Sequence, residues 1–354
     1  MTSNAMSSSS LSLARMLPVL RVLLFVCLAL LLCALAFFCA GLPVGELFTG
    51  ILDGAFLRDG AVHQGLRWAM PLFITATGVA IAFRAGFFNI GAQGQFYIGS
   101  IFAAFTAEWL SGGPAWLVVS CCLLAGMLGG ALWAMWPGLL RLRSGTDEVI
   151  TTLMGNFLAG LLLVYVTSGP LKDPTGSGQQ ASSRPIADAY RISDSLGVSP
   201  LIVILTLLVF ALSWLLANRT ALGIVANLAG RNPTMVSWQG ARVGRIGLFS
   251  FLVSGALAGL AGSIELLGPN GRLASGFLPA HGFTAILIAL VAQLSIVGTA
   301  VSALFFGALA SAALYLPVMV GLPAAAIEVI NATIALFITS RAKWLDKLLT
   351  RKPA

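Results

Sequence analysis

Charge is scarce in this chain: Asp, Glu, Lys and Arg make up only 9% of 354 residues, against 58% hydrophobic. Soluble domains run at roughly 25% charged, so water is excluded as the main solvent. Between Arg272 and Glu328 the sequence has no charged residue. Histidine occurs twice and cysteine five times, with no CxxC pair. Cys27, Cys33 and Cys39 lie in one apolar run and Cys121 and Cys122 in another, so they read as small buried side chains, not a metal or redox site. No GxxxxGK[ST] loop, HExxH or nucleophile elbow is present, which removes ATP hydrolysis and the common hydrolase chemistries from this chain.

What remains is a series of apolar runs. A membrane-spanning helix needs roughly 20 mostly apolar residues. Ten runs qualify, at about 22–42, 68–83, 85–107, 114–140, 149–169, 199–217, 246–264, 281–298, 300–320 and 323–340. The second is short, and the last charge-free stretch is divided near Gly298. The expectation is an all-α polytopic transmembrane bundle forming a single domain over residues 1–354. The run at 22–42 is longer than a signal-peptide core, lacks an A-x-A-like site after it, and reads as a retained anchor.

Basic residues collect in cytoplasmic loops. With ten spans they sort 14 to 6, the larger set being Arg15, Arg21, Arg84, Arg141, Arg143, Arg219, Arg231, Arg242, Arg245 and the tail Arg341, Lys343, Lys347, Arg351 and Lys352. Both termini are then expected inside. The net charge of +8 reflects this topology and gives no reason to invoke nucleic acid; the basic tail also suits contact with anionic lipid. Outside the spans, Ser-rich residues 1–14 read as a disordered tail, 170–198 as an outer loop and 218–245 as an inner loop with four arginines and no acid.

Within the inner loop, Asn232, Pro233 and Gly240 read as N-cap, first helical residue and stop of a helix of about two turns. So short a helix must dock. Met235, Val236 and Trp238 equip it either for the membrane interface or for a groove on a cytoplasmic partner.

The polar residues inside apolar spans are the candidate site. Gly86-Phe87-Phe88-Asn89-Ile90-Gly91-Ala92-Gln93-Gly94-Gln95 is too polar to face lipid. Asn89 and Gln93 share a face at i, i+4 and fit two roles, contact with a hydroxylated solute or hydrogen bonding between helices. Thr151, Thr152 and Asn156 form a polar stripe in the fifth span. Glu328, with Asn331 on the same face, is either a functional acid in the tenth span or an interfacial residue near Gly321 and Pro323. Asp147 and Glu148 read as helix-capping acids, and Glu265 and His281 as interfacial. Gly255 with Gly259 and Gly307 with Ser311 mark close helix contacts.

Three stretches together, Gly86 to Gln95, Gly145-Thr146-Asp147-Glu148-Val149-Ile150-Thr151-Thr152-Leu153-Met154, and Gly230-Arg231-Asn232-Pro233 with Gly240, resemble the membrane subunits of bacterial ABC importers, in the ribose, simple-sugar and nucleoside branch. The likeness covers about residues 68–340. It departs at Met235, Val236 and Trp238, which are bulkier than expected, and at 282–291, which lacks an Asp-Gly pair. The resemblance implies a multi-pass permease of the bacterial inner membrane that moves a nucleoside or simple sugar by alternating access. It implies a second permease subunit, an external substrate-binding protein, and separate cytoplasmic subunits that bind ATP and Mg; this chain would carry no cofactor and no catalysis. On that view Asn89, Gln93, Gln95, Thr152, Asn156, Glu328 and Asn331 line the solute path. Gly230, Arg231, Asn232, Pro233, Trp238, Gly240 and Arg242 form the segment that couples to the ATPase. The main alternative is an ion-coupled carrier using Glu328. A membrane-embedded enzyme is disfavoured, because no His, Asp and Ser converge on one face.

Overall fold

The structure is a computed structural model describing residues 8–175, 181–192, 198–274, 281–319, 321 and 325–339. Among them there are thirteen α-helices and no strand: α1 (Ser8–Cys39), α2 (Val44–Leu52), α3 (Ala61–Arg84), α4 (Ala92–Trp109), α5 (Ala115–Ser144), α6 (Glu148–Ser168), α7 (Pro200–Arg219), α8 (Ala221–Arg231), α9 (Pro233–Trp238), α10 (Val243–Glu265), α11 (His281–Val291), α12 (Ile296–Met319) and α13 (Ala325–Thr339). Six of them, α3, α5, α6, α7, α10 and α12, are long and apolar enough to cross a membrane; α1, α11 and α13 hold shorter apolar stretches. The all-helical polytopic bundle expected from sequence is what forms, and each of the ten apolar runs carries a helix. Ten is a loose count of spans, since among the described residues α1, α11 and α13 offer only shorter apolar helices.

The chain divides into two compact units, one of residues up to Leu57 with those from Ala312 on, the other Arg58–Ser311. In the first, α1 packs on α13, and the π-helical turn Asp53–Leu57 extends α2. Neither α2 nor that turn was foreseen. Helix α1 reaches back to Ser8, into the stretch read as a tail. Residues 1–7, Pro323 and the basic tail from Arg341 lie outside the described residues.

The second unit is organised around α10, which packs on α3, α4 and α5. Helices approach this closely in a membrane where small residues replace large ones. A Cβ built on Gly259 would overlap the Gly126 carbonyl, one on Gly130 the Gly255 carbonyl, and one on Gly99 the Gly259 backbone. Ser100 completes the seam by donating to the Gly262 carbonyl at 2.9 Å. Gly307 likewise packs on Gly65 and Ala69.

Three boundaries differ from the sequence reading. Helix α3 begins at Ala61, because Arg67 is accommodated within it and does not end it. Segment 86–91 is not helical, so the third span starts at Ala92. The charge-free stretch breaks at 292–295, where Gln293 and Leu294 take φ values of 51° and 62°, and Gly298 lies inside α12.

Candidate functional site

Segment 86–91 leaves backbone N–H and C=O groups without helical partners, which hydrocarbon does not tolerate. One face of α6 supplies them. Glu148, Thr152 and Asn156 lie at i, i+4 and i+8. Glu148 Oε1 accepts from Phe88 N at 3.1 Å and Thr152 Oγ1 from Ile90 N at 3.3 Å. Asn156 Nδ2 donates to the Ile90 carbonyl at 2.9 Å, while its Oδ1 accepts from Gly94 N at 2.8 Å. Arg141, one of two last-turn cations of α5, pairs with Glu148 and lies 3.9 Å from the Phe87 ring centroid. Asp147 does cap α6, accepting from Val149 N at 2.8 Å; Glu148 does more than cap, since its carboxylate holds a separate segment.

Asn89 is fully buried and closes a second set of bonds. Its Nδ2 donates to Gln95 Oε1 at 2.8 Å and to Ser254 Oγ of α10 at 2.9 Å, and its Oδ1 accepts from Gly91 N and Gln95 Nε2, both at 3.0 Å. Gln93 Oε1 accepts from Gly282 N of α11 at 2.6 Å. Of the predicted path residues, then, Asn89, Gln95, Thr152 and Asn156 gather on segment 86–91, while Gln93 bonds α11 and, with Asn89 outside α4, shares no helical face with it. Their bonds run between helices and to unwound backbone. Asn89→Ala is expected to strand the Gln95 amide at about 2 kcal/mol, so folded yield and uptake should fall together; lost uptake at unchanged thermal stability would instead indicate direct solute contact.

Glu328 belongs to the other unit and is exposed in the first turn of α13, where an acid complements the helix N-terminus. Asn331 is half-buried one turn on, its Oδ1 lacking a partner.

The inner loop folds as its capping signals require. Asn232 Oδ1 accepts from Met235 N at 3.0 Å, Pro233 opens α9, and Gly240 has φ 83°. Val236 is buried, whereas Trp238 is 88% exposed, and Arg231 and Arg242 also face outward. Helix α8, unforeseen as a separate element, leads into α9 and ends backbone-to-backbone on the end of α3. A Cβ on Gly230 would overlap the Arg84 carbonyl and come to 2.9 Å from Gly86 N. The exposed helix is thereby joined directly to the start of the clamped 86–91 segment.

Sequence reasoning missed a buried ionic cluster at the other end of α3. Glu265 and His281, expected at the interface, are each only 2% exposed. Arg67 Nη2 lies 3.5 Å from Glu265 Oε1, Asn270 donates to the same oxygen at 2.9 Å, and His281 Nε2 stands 4.0 Å from Oε2, its ring against Trp68 and Phe96. The partners are far apart in sequence, so spacing carried no signal. Beside Arg67 opens a cavity of about 510 Å³.

Apolar helices packed around a polar, unwound segment are the architecture of a membrane transport component. The chain belongs to the family of branched-chain amino acid transport system permease components, whose model matches residues 61–339. It is 31% identical to the guanosine ABC transporter permease NupP of Bacillus subtilis, over 87% of this chain and 89% of that protein. It is 32% identical to the glucose ABC transporter permease TsgB13 of Haloferax volcanii, over 83% and 79%, and 29% identical to the nucleoside ABC transporter permease NupB of Lactococcus lactis, over 78% and 79%. No solved structure matches.

Proposed function

We propose that this chain is the membrane subunit of an ATP-driven importer for a nucleoside or simple sugar, working in the bacterial inner membrane with a second permease subunit and an external binding protein. ATP and Mg are bound by separate cytoplasmic subunits, and α9 with its flanks, Gly230 to Arg242, docks on them. The observation that carries this reading is the exposed, capped α9, whose supporting helix α8 meets the unwound segment at Gly86. A helix that shows 88% of a tryptophan on the basic side of the chain is built for a partner. A membrane interface would also take the tryptophan, and co-purification with the ATPase subunits tells the two apart.

Trp238→Ala is expected to leave folded yield unchanged while ATPase subunits no longer co-purify and uptake falls about tenfold or more, as for an interface hot spot. Retained association would remove α9 from the docking role. The reading as a whole is tested by reconstituting the chain with its ATPase and binding protein and measuring ATP-dependent guanosine and glucose uptake. Transport by the chain alone under a proton gradient would overturn it in favour of an ion-coupled carrier.

A further inference from the structure

The cavity beside Arg67 lies between the start of α3, the 3₁₀ turn Asp188–Tyr190 and the π-helical turn Leu266–Asn270. Its position along the membrane normal follows from α3. Arg67 is at one end of that helix and Arg84, against Gly230, at the other; 17 residues at 1.5 Å each separate them by about 26 Å. The cavity therefore opens on the face opposite the arginine-rich α8–α9 segment, the face at which an imported solute arrives.

Its volume, about 510 Å³, falls within the range of roughly 300–1,000 Å³ typical of small-molecule sites. Its lining offers both donors and acceptors. Arg191 Nη2 is spent on the Gly268 carbonyl at 3.0 Å, which fixes the π-helical turn as a wall. Arg67 is held by Glu265, and the Gln64 amide, with its oxygen turned toward its donors, accepts from Arg67 Nη1 at 3.0 Å and Trp68 Nε1 at 3.2 Å, leaving its NH₂ to donate. Asp188 is exposed and forms no ion pair within 4.0 Å among the described residues.

The charges decide the ligand class. Arg67 is paired with Glu265 behind the lining, while Asp188 and Arg191, neighbours in one turn, both line the cavity. With Glu265 counted behind Arg67, the two cations and two anions around the cavity cancel, which favours neither an anion nor a cation. A carboxylate accepts two hydroxyl hydrogen bonds from a vicinal diol, at charge-assisted strength.

We propose that this cavity is an outer binding site for a neutral, hydroxylated solute, a nucleoside or sugar, with Asp188 accepting its diol. The proposal rests on the importer reading and adds to it a site within one subunit, separate from the buried amide cluster of Asn89 and Gln95.

The full chain in lipid nanodiscs, without ATPase, is titrated with tritiated guanosine, ribose and guanosine monophosphate. Saturable binding of guanosine or ribose is expected, with the monophosphate at least about tenfold weaker because no cation is left over for it. Asp188→Asn should weaken binding of the neutral solute about tenfold or more, while Asp188→Glu retains most of it; thermal unfolding of both variants should match the parent chain. No saturable binding of either neutral solute, tighter binding of the monophosphate, or unchanged binding by correctly folded Asp188→Asn overturns the site. Uptake by the reconstituted complex separates the two claims. Robust ATP-driven uptake that ignores Asp188→Asn removes the cavity alone, whereas a complex that moves no neutral solute removes the importer reading.

Discussion

Gly259→Leu is expected to abolish folded protein. The Gly259 Cα lies against the backbone of two other helices: a Cβ here overlaps the Gly126 carbonyl and comes to 3.0 Å from Gly130 Cα, and Gly99 packs on the same residue from α4. Those neighbours are main chain, which cannot rotate away as a flexible side chain would. Overpacking costs about 1–3 kcal/mol where side chains can adjust, and here α10 has to separate from α4 and α5 together. That is a large share of a stability of about 5–15 kcal/mol. Gly160→Leu in α6 is the control, since a Cβ there meets nothing within 4 Å. The measurement is the yield of monodisperse, detergent-solubilised protein, with wild-type yield for Gly160→Leu and near loss for Gly259→Leu. Equal yields would mean that the α4–α5–α10 seam does not hold the bundle.

The second large effect is functional. Gly230→Ala introduces one methyl at the point where α8 meets the end of α3, overlapping the Arg84 carbonyl. Because α9 follows directly through Asn232, the methyl is expected to displace α9 relative to Gly86 and the segment that α6 clamps. ATP hydrolysis by the assembled complex is expected to persist while solute uptake drops about tenfold or more, as misplacements of about 1 Å do elsewhere. Gly240→Ala separates this from backbone strain. Its Cβ meets nothing, so only the left-handed φ of 83° is penalised, at about 1–2 kcal/mol, and uptake should fall less. Coupled transport at wild-type rate in Gly230→Ala would show that the α3–α8 contact transmits nothing.

These two glycines also mark where sequence reading succeeds and where it stops. The caps of α9 were readable because Asn232, Pro233 and Gly240 act on neighbours within a few residues. The ten apolar runs were readable because hydrocarbon imposes its length on each separately. Gly255 and Gly259 announced a close contact by their spacing, though not its partner, since Gly126 and Gly130 belong to a distant helix. Glu265 looked interfacial because its charge partner, Arg67, is nearly two hundred residues away and nothing local reveals the pair. The unwinding at 86–91 was hidden for a related reason. The stretch was visibly too polar for lipid, but its backbone partners come from α6, and only the fold brings Glu148, Thr152 and Asn156 alongside it. The candidate site was therefore recognisable as a set of residues, while its bonding, which turns Asn89 and Gln95 toward each other, was not.

The glycine seam also has a consequence for how the protein is made. Gly126 and Gly130 enter the membrane about 130 residues before Gly255 and Gly259 arrive to cover them. At roughly 5–20 residues per second of synthesis, that face of α5 waits about 6–25 s. Helix α4 is already present and packs on α5 in the finished fold, but the contact with α10 is incomplete throughout. During that interval the newborn chain carries an unsatisfied small-residue groove able to accept any similar helix nearby. Its assembly is thus a race between the ribosome and neighbouring membrane proteins, and α10 is the element whose arrival ends it.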